Sequence, residues 1–400
     1  MNYPYFNKES INIVKNVLKS GNVNYWTGKE GIHFEKEFSK YIGNKYSIAV
    51  SNGSVALEIS LKALNLKKGD KVIVTPRSFI ASANCVINSG LIPVFSDVDD
   101  NGNLSISGIQ KAYDKSVKAI IVVHLNGMPC DLKPIIEFKK KNNLSLIEDC
   151  SQAHGSRYKG KCVGSFGDVA IWSFCQDKII STGGEGGMIS TNNKSIWKKC
   201  WSMKDHGKNY HSVFNKKHKE GFRWLHDYDG SNFRMTEMQS ALGRYQLKKL
   251  DEYIKKRNKI AYFYINGLKD FWEKYKILKK PIYSCSDCPV KKNCNLCKHA
   301  FYRLDLFVNK KKINQIKFIK QLNKNGIECI VGSCPEIYRE KIFKKLNFYP
   351  KKRLPNAKLL GETSVMFRIN PNKSLSLIKR EINVIKKILY FYIKFRVQKY

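Results

Sequence analysis

Residues 144–149 read Leu144-Ser145-Leu146-Ile147-Glu148-Asp149, followed by Cys150-Ser151-Gln152-Ala153-His154-Gly155. A second run, Val169-Ala170-Ile171-Trp172-Ser173-Phe174, leads through Cys175-Gln176-Asp177 to Lys178. Both runs are short and apolar throughout, which predicts strands buried on both faces, as in a parallel sheet. The first brings Asp149 to its C-terminal edge, and the second places Lys178 four residues past its end. Thr182-Gly183-Gly184-Glu185-Gly186-Gly187 comes next. Glycines at this density do not suit a helix or strand interior, so the backbone there is expected to turn tightly or to approach a ligand.

Outward from this stretch the same alternation continues. Ile48-Ala49-Val50 is a strand, Ser51-Asn52-Gly53 a turn, and Ser54-Val55-Ala56-Leu57 the start of a helix to about residue 64. Strands are expected over 71–75, 91–97 and 117–124, with helical or loop material between them. A helix capped by Thr236 runs through Leu247 to about Arg257. The pattern predicts an α/β protein with a mainly parallel sheet flanked by helices, and ligands at the carboxyl ends of the strands. A large domain is expected over 1–258 and a smaller α+β domain over 259–400, with the N-terminal segment able to pack on the small one. Four hundred residues suffice for two such cores.

A carboxylate and a lysine presented from neighbouring strand ends suit pyridoxal phosphate. The amine forms the Schiff base, and the carboxylate keeps the pyridine nitrogen protonated so that the ring accepts electrons. The wording around the pair, Glu148-Asp149-Cys150-Ser151-Gln152-Ala153-His154-Gly155, Gly164-Ser165-Phe166-Gly167-Asp168 and Gly184-Glu185-Gly186-Gly187, resembles the DegT/DnrJ/EryC1/StrS family. These are fold-type I, pyridoxal-phosphate-dependent aminotransferases of nucleotide-linked keto-sugars, and the resemblance runs from about Tyr5 to about Asn370.

It implies Lys178 and Asp149 as the catalytic pair, and Gly53, Ser54, Val55 and Ser173 around the cofactor phosphate. It further implies Phe79 stacked on the ring, Gln152 touching it, and Asn232, in Gly230-Ser231-Asn232-Phe233-Arg234-Met235, reaching the phosphate of a second subunit. A homodimer with shared active sites follows, as do an amino-acid donor, glutamate, and a nucleotide-sugar acceptor for surface polysaccharide or glycoside synthesis. Asn24-Tyr25-Trp26-Thr27-Gly28-Lys29-Glu30 is either the family's entry loop or a surface turn. His154 reads as a satisfied core histidine.

The charge of +39 comes from lysines scattered through nearly every segment. That distribution points to a solvated surface rather than a nucleic-acid groove, so no specific nucleic acid is expected. No run nears ~18 apolar residues and the N-terminus lacks a basic-then-apolar leader, which predicts a cytoplasmic protein. Twelve cysteines without a leader argue for reduced thiols or a metal. Cys285, Cys288, Cys294 and Cys297 form Cys-x2-Cys-x5-Cys-x2-Cys, an insertion whose thiolates suit structural zinc, with an iron–sulfur cluster or free thiols as alternatives. The basic helix from Ile378 to about residue 400 is expected to close the small domain. Two other functions remain: a sugar dehydratase of the same family, whose members replace the lysine with histidine or add an iron–sulfur cluster, and a non-catalytic regulatory or nucleic-acid-binding relative.

Overall fold

The computed structural model describes residues 4–279 and 296–397, with side chains through residue 394. The amino-terminal part is built on a seven-stranded sheet. Its strands are β1 (Tyr46–Val50), β2 (Lys71–Val74), β3 (Ile92–Phe95), β4 (Val117–Val123), β5 (Ser145–Asp149), β8 (Val169–Ser173) and β9 (Gly187–Thr191). A small hairpin, β6 (Arg157–Tyr158) and β7 (Lys161–Cys162), lies between β5 and β8 in the chain. The spatial order is β1-β9-β8-β5-β4-β2-β3. From β8 to β3 all neighbours are parallel, and only β9 runs against the others, antiparallel to both β8 and β1.

This matches the apolar runs: β5, β8 and β9 are buried almost without interruption, because helices cover both faces. The connection from β2 through β3 moves to one edge, whereas β4, β5 and β8 build in the other direction. Such a reversal opens a crevice at the carboxyl ends of the strands.

Helices α1 (Lys8–Ser20) and α2 (Glu30–Ile42) pack on a 31-residue helix, Glu237–Gly267. Thr236 and Gln239 close a capping box at its start. At 1.5 Å per residue it spans about 46 Å, ten residues further than the apolar periodicity predicted. The reason is that Ile260, Ala261, Tyr264 and Ile265 at its far end enter a second core. That core backs an antiparallel sheet of β10 (Leu278–Lys279), β11 (Arg303–Val308), β12 (Cys329–Ile330) and β13 (Ser364–Arg368), ordered β10-β11-β13-β12. The final helix, Leu375–Val397, buries Ile378, Ile382, Ile385 and Leu389 against it, as expected. No described helix is long and apolar enough to cross a membrane.

Candidate functional site

Each sheet delivers side chains to the crevice. Asp149 ends β5 with its carboxylate buried. The Ser82 hydroxyl donates to its Oδ2 at 3.0 Å, and the Ser151 N–H donates to its Oδ1 at 3.1 Å. Ser82 belongs to helix α4 (Ala81–Asn88), and Phe79, just ahead of that helix, stands 68% exposed over the same strand ends. A phenylalanine beside an apolar helix ordinarily joins the core, so its exposure here marks a face kept open.

Asp149 pairs with Ile171 of β8, and two residues on Ser173 ends that strand. Helix α3 (Gly53–Ala63) abuts it so closely that a Cβ on Gly53 would lie 2.8 Å from Ser173 Cβ. The Val55 N–H is taken by the Asn52 side chain at 2.9 Å. The N–H groups of Gly53 and Ser54 and the hydroxyls of Ser54 and Ser173 are left as an anion cradle at a helix N-terminus. The glycine cluster shapes this cradle from behind. Gly183 and Gly184 take positive φ and turn the chain, and Gly187 then lies against the Asn52 carbonyl, which a Cβ would approach to 2.4 Å.

Lys178 points its amine at Asp177 Oδ1, 3.2 Å away, and at the Tyr302 hydroxyl, 3.5 Å away. The Tyr302 hydroxyl in turn donates to Asp177, and Arg303 reaches the same carboxylate at 3.3 Å. Burial works against the Lys178 charge, but Tyr302 and Asp177 outweigh it and hold the ammonium above its usual range. Tyr302 lies at the start of β11, fixed by Arg257 of the long helix, which donates to the carbonyls of Phe301, Tyr302 and Ile369. Gln152 is nearly buried and accepts the Asn126 N–H at 2.8 Å.

The group that the sequence points to fits this arrangement: a cradle for a phosphate, an exposed aromatic face, a fixed carboxylate and a half-enclosed amine lie at adjoining strand ends. Asn232 is exposed on a loop that bridges to Asp205, and within one chain it meets none of these groups.

His154 is buried between Trp172 and Phe174, but both ring nitrogens lack a hydrogen-bond partner. It is a core residue without the satisfaction expected of one. Burial, with Lys178 and Arg257 nearby, pushes it down to about 3, so it is neutral. The segment 24–30 is no loose turn: Trp26 Nε1 donates to Asp205 at 2.6 Å, and the N–H groups of Glu30 and Gly31 donate to Glu237.

His124, Glu148 and Cys150 lie together and buried, a group that resembles a metal site. The hydrogen bonds give a different account. Glu148 accepts from the backbone N–H groups of Gly164, Phe166 and Gly167 at 2.6–2.8 Å and sits 3.1 Å from His124 Nε2. His124 Nδ1 accepts the Cys130 N–H at 3.0 Å, so Nε2 carries the proton and has no lone pair for a metal. Glu148 is an anchor for the 164–167 loop beside Asp149. Its role was hidden in the sequence because its partners are backbone groups. Ser82, Asp177 and Tyr302 were missed too. Asp177 adjoins Lys178, which was a usable signal, whereas the other two arrive through tertiary packing.

Cys85, Cys130, Cys150, Cys162, Cys200 and Cys329 are buried singly, as expected of small hydrophobes. Of the four-cysteine run, Cys285, Cys288 and Cys294 lie outside the described residues.

Comparison with known proteins agrees with this geometry. Residues 4–386 match the DegT/DnrJ/EryC1/StrS aminotransferase family model. An aminotransferase of Psychrobacter cryohalolentis superposes with a TM-score of 0.93 at 42% identity, covering 98% of this chain and 99% of that one. The GDP-perosamine synthase of Escherichia coli O157:H7 is 40% identical over 61% of this chain and 66% of its own length. An uncharacterized protein of Methanocaldococcus jannaschii is 33% identical over 96% of both. The match spans both sheets, the fold is that of the fold-type I pyridoxal-phosphate enzymes, and the chain belongs to the DegT/DnrJ/EryC1/StrS aminotransferase family.

Proposed function

We propose that the chain moves an amino group from an amino acid, glutamate, to the keto group of a nucleotide-linked sugar for surface polysaccharide or glycoside synthesis, in the cytoplasm and as a homodimer. The observation that carries this reading is the pairing of a fixed carboxylate, Asp149, with the enclosed amine of Lys178 beside an anion cradle. Support for the acceptor comes from the relatives: one is a GDP-perosamine synthase, and others are a dTDP-amino-sugar transaminase of Aneurinibacillus thermoaerophilus and a UDP-amino-sugar aminotransferase of Acidithiobacillus ferrooxidans.

Gly53 and Ser54 at the head of α3, with Ser173, would hold the phosphate of pyridoxal phosphate, whereas the Val55 N–H expected there is already taken by Asn52; Asn232 would reach the same site in a second copy. Phe79 would lie on the ring, Gln152 at its edge and Asp149 at its nitrogen. When bound, the cofactor supplies an electron sink for the carbanion formed next to the migrating nitrogen. The protein's part is proton movement and orientation. Lys178 Nζ, as the free amine, would take the proton from the substrate carbon and deliver it to the carbon on the other side of the migrating nitrogen, and Asp177 and Tyr302 would hold the ammonium formed in between. The division at 1–258 and 259–400 assigns the cradle to the first unit and Tyr302 to the second. Cys297 lies beside the β6–β7 hairpin, where its Sγ accepts the Lys159 N–H at 3.5 Å, and it is disulfide-bonded, so the insertion reads as cross-linked rather than as the zinc site expected of Cys285, Cys288, Cys294 and Cys297.

The test is an absorbance spectrum of purified protein before and after glutamate, with metal analysis of the same sample. A visible band that shifts on glutamate addition is expected in the wild type. Lys178→Ala is expected to lose turnover by at least about a thousandfold while still retaining pyridoxal phosphate through the cradle. Wild-type amination by Lys178→Ala would refute the assignment.

A further inference from the structure

Gln152 has two chemically different ends, and the structure shows what decides between them. Its Oε1 accepts the Asn126 N–H at 2.8 Å, which leaves the amide N–H2 end to face outward. That N–H is aimed by an unusual backbone: Asn126 has φ 55, a left-handed conformation that asparagine tolerates better than most residues. The Asn126 side chain in turn donates through Nδ2 to Asp305 Oδ2 at 2.6 Å.

Asp305 belongs to β11, in the other sheet. Its second oxygen, Oδ1, is buried without a hydrogen-bond partner. Burial raises its carboxyl, and Arg77 is the first of the groups opposing that rise. Arg77 itself is fully buried with all three guanidinium nitrogens unpartnered, wedged where a Cβ on Gly102 or Gly332 would come within 3.0–3.2 Å of its side chain. Among the described residues, Asp305 Oδ2 therefore has the Asn126 side chain as its hydrogen-bond donor.

We propose that Asp305, acting through Asn126, is a positioning residue for Gln152, so that the carboxyl-terminal sheet sets which polar end the amino-terminal site presents to the cofactor ring. This rests on the pyridoxal phosphate reading above. The chain of contacts is Asp305 to the Asn126 side chain, the Asn126 N–H to Gln152 Oε1, and Gln152 N–H2 to the ring. With Asp305 removed, Asn126 loses the anchor of its strained conformation. Its N–H then swings, and Gln152 is free to present either end.

The experiment titrates the visible band of pyridoxal-phosphate-loaded protein with pH in the wild type, Gln152→Ala, Asp305→Ala, Asp305→Asn and the Gln152→Ala/Asp305→Ala double variant. Gln152→Ala and Asp305→Ala are expected to move the midpoint in the same direction by about half to one pH unit. The double variant is expected to move it no further than Gln152→Ala alone, because the two residues act in series. Asp305→Asn keeps an oxygen opposite Asn126 and is expected to return the midpoint close to the wild-type value, a rescue that a merely structural loss would not produce.

A wild-type midpoint in Asp305→Ala or in Gln152→Ala overturns the proposal, as do additive shifts in the double variant. Should Asp305→Ala not fold, Asn126→Gly serves instead, since glycine accepts the positive φ while losing the tie to Asp305; an unshifted midpoint there overturns the proposal equally. A wild type without a visible band, even with added pyridoxal phosphate, removes both this proposal and the reading beneath it. A normal wild type with unshifted variants removes only the coupling.

Discussion

Glu148→Gln is expected to cost more than any other isosteric change near the site. The carboxylate is fully buried, with Oε1 accepting from Phe166 and Gly167 and Oε2 from Gly164 and His124. A glutamine can keep one oxygen facing two donors, but its amide nitrogen must then face the other two. The neutral His124 cannot adapt by changing tautomer, because its Nδ1 is committed to the Cys130 N–H. Two charge-assisted bonds are lost, at about 1.5–3 kcal/mol each, giving a destabilisation of about 3–6 kcal/mol against a typical total of about 5–15 kcal/mol.

The pH dependence has a definite sign. Burial pushes the Glu148 carboxyl up, but the hydrogen bonds from His124 and from the backbone N–H groups outweigh it, leaving it below the usual carboxylate range. Its stabilisation is therefore fully present above the unfolded carboxylate pKa of about 4.3 and is lost as pH falls through the depressed folded value. Urea unfolding at pH 7.5 and across the acid range, for wild type and Glu148→Gln, measures both effects. The variant is expected to be weaker at neutral pH and to lack this part of the acid loss. A change below about 1 kcal/mol at pH 7.5, or an unchanged acid limb, would refute the anchor.

Two further outcomes follow from the site. Asp177→Asn removes a charge that holds the Lys178 ammonium above its usual range, so its amine becomes neutral at lower pH. The pH profile for the rate of cofactor loading is expected to move toward acid, and a shift toward alkali would contradict the arrangement. Gly187→Ala places a Cβ 2.4 Å from the Asn52 carbonyl and so displaces the start of α3. Weakened affinity for pyridoxal phosphate, about tenfold or more for roughly 1.4 kcal/mol of lost anchoring, is expected by equilibrium titration, with near-wild-type circular dichroism.

What the sequence made legible was whatever short-range pattern carries. The strands ending in Asp149 and Ser173 were readable because a strand buried on both faces is apolar along its whole length. The turn before α3 was readable because a glycine and a serine at a helix start have few other uses. The open face at Phe79 needed the family resemblance, since its local wording fits a core phenylalanine equally well. Ser82, Tyr302, Asp305 and Asn126 were not readable, because each acts through a partner at least 67 residues away. The long helix overran its expected end for a related reason: its last turns are held by the second core rather than by a local periodicity.

The clasp between Glu237 and the N–H groups of Glu30 and Gly31 joins residues more than two hundred positions apart. During synthesis at about 5–20 residues per second, helix α1 leaves the ribosome roughly 10–40 s before the long helix it packs on exists. For that interval α1 is an amphipathic segment without its partner, while α2 already has β1, Trp172 and Phe174 to pack on. The protein is therefore expected to close last on its own beginning, and nascent chains stalled short of residue 237 should hold the α1 segment, Lys8–Ser20, open to protease.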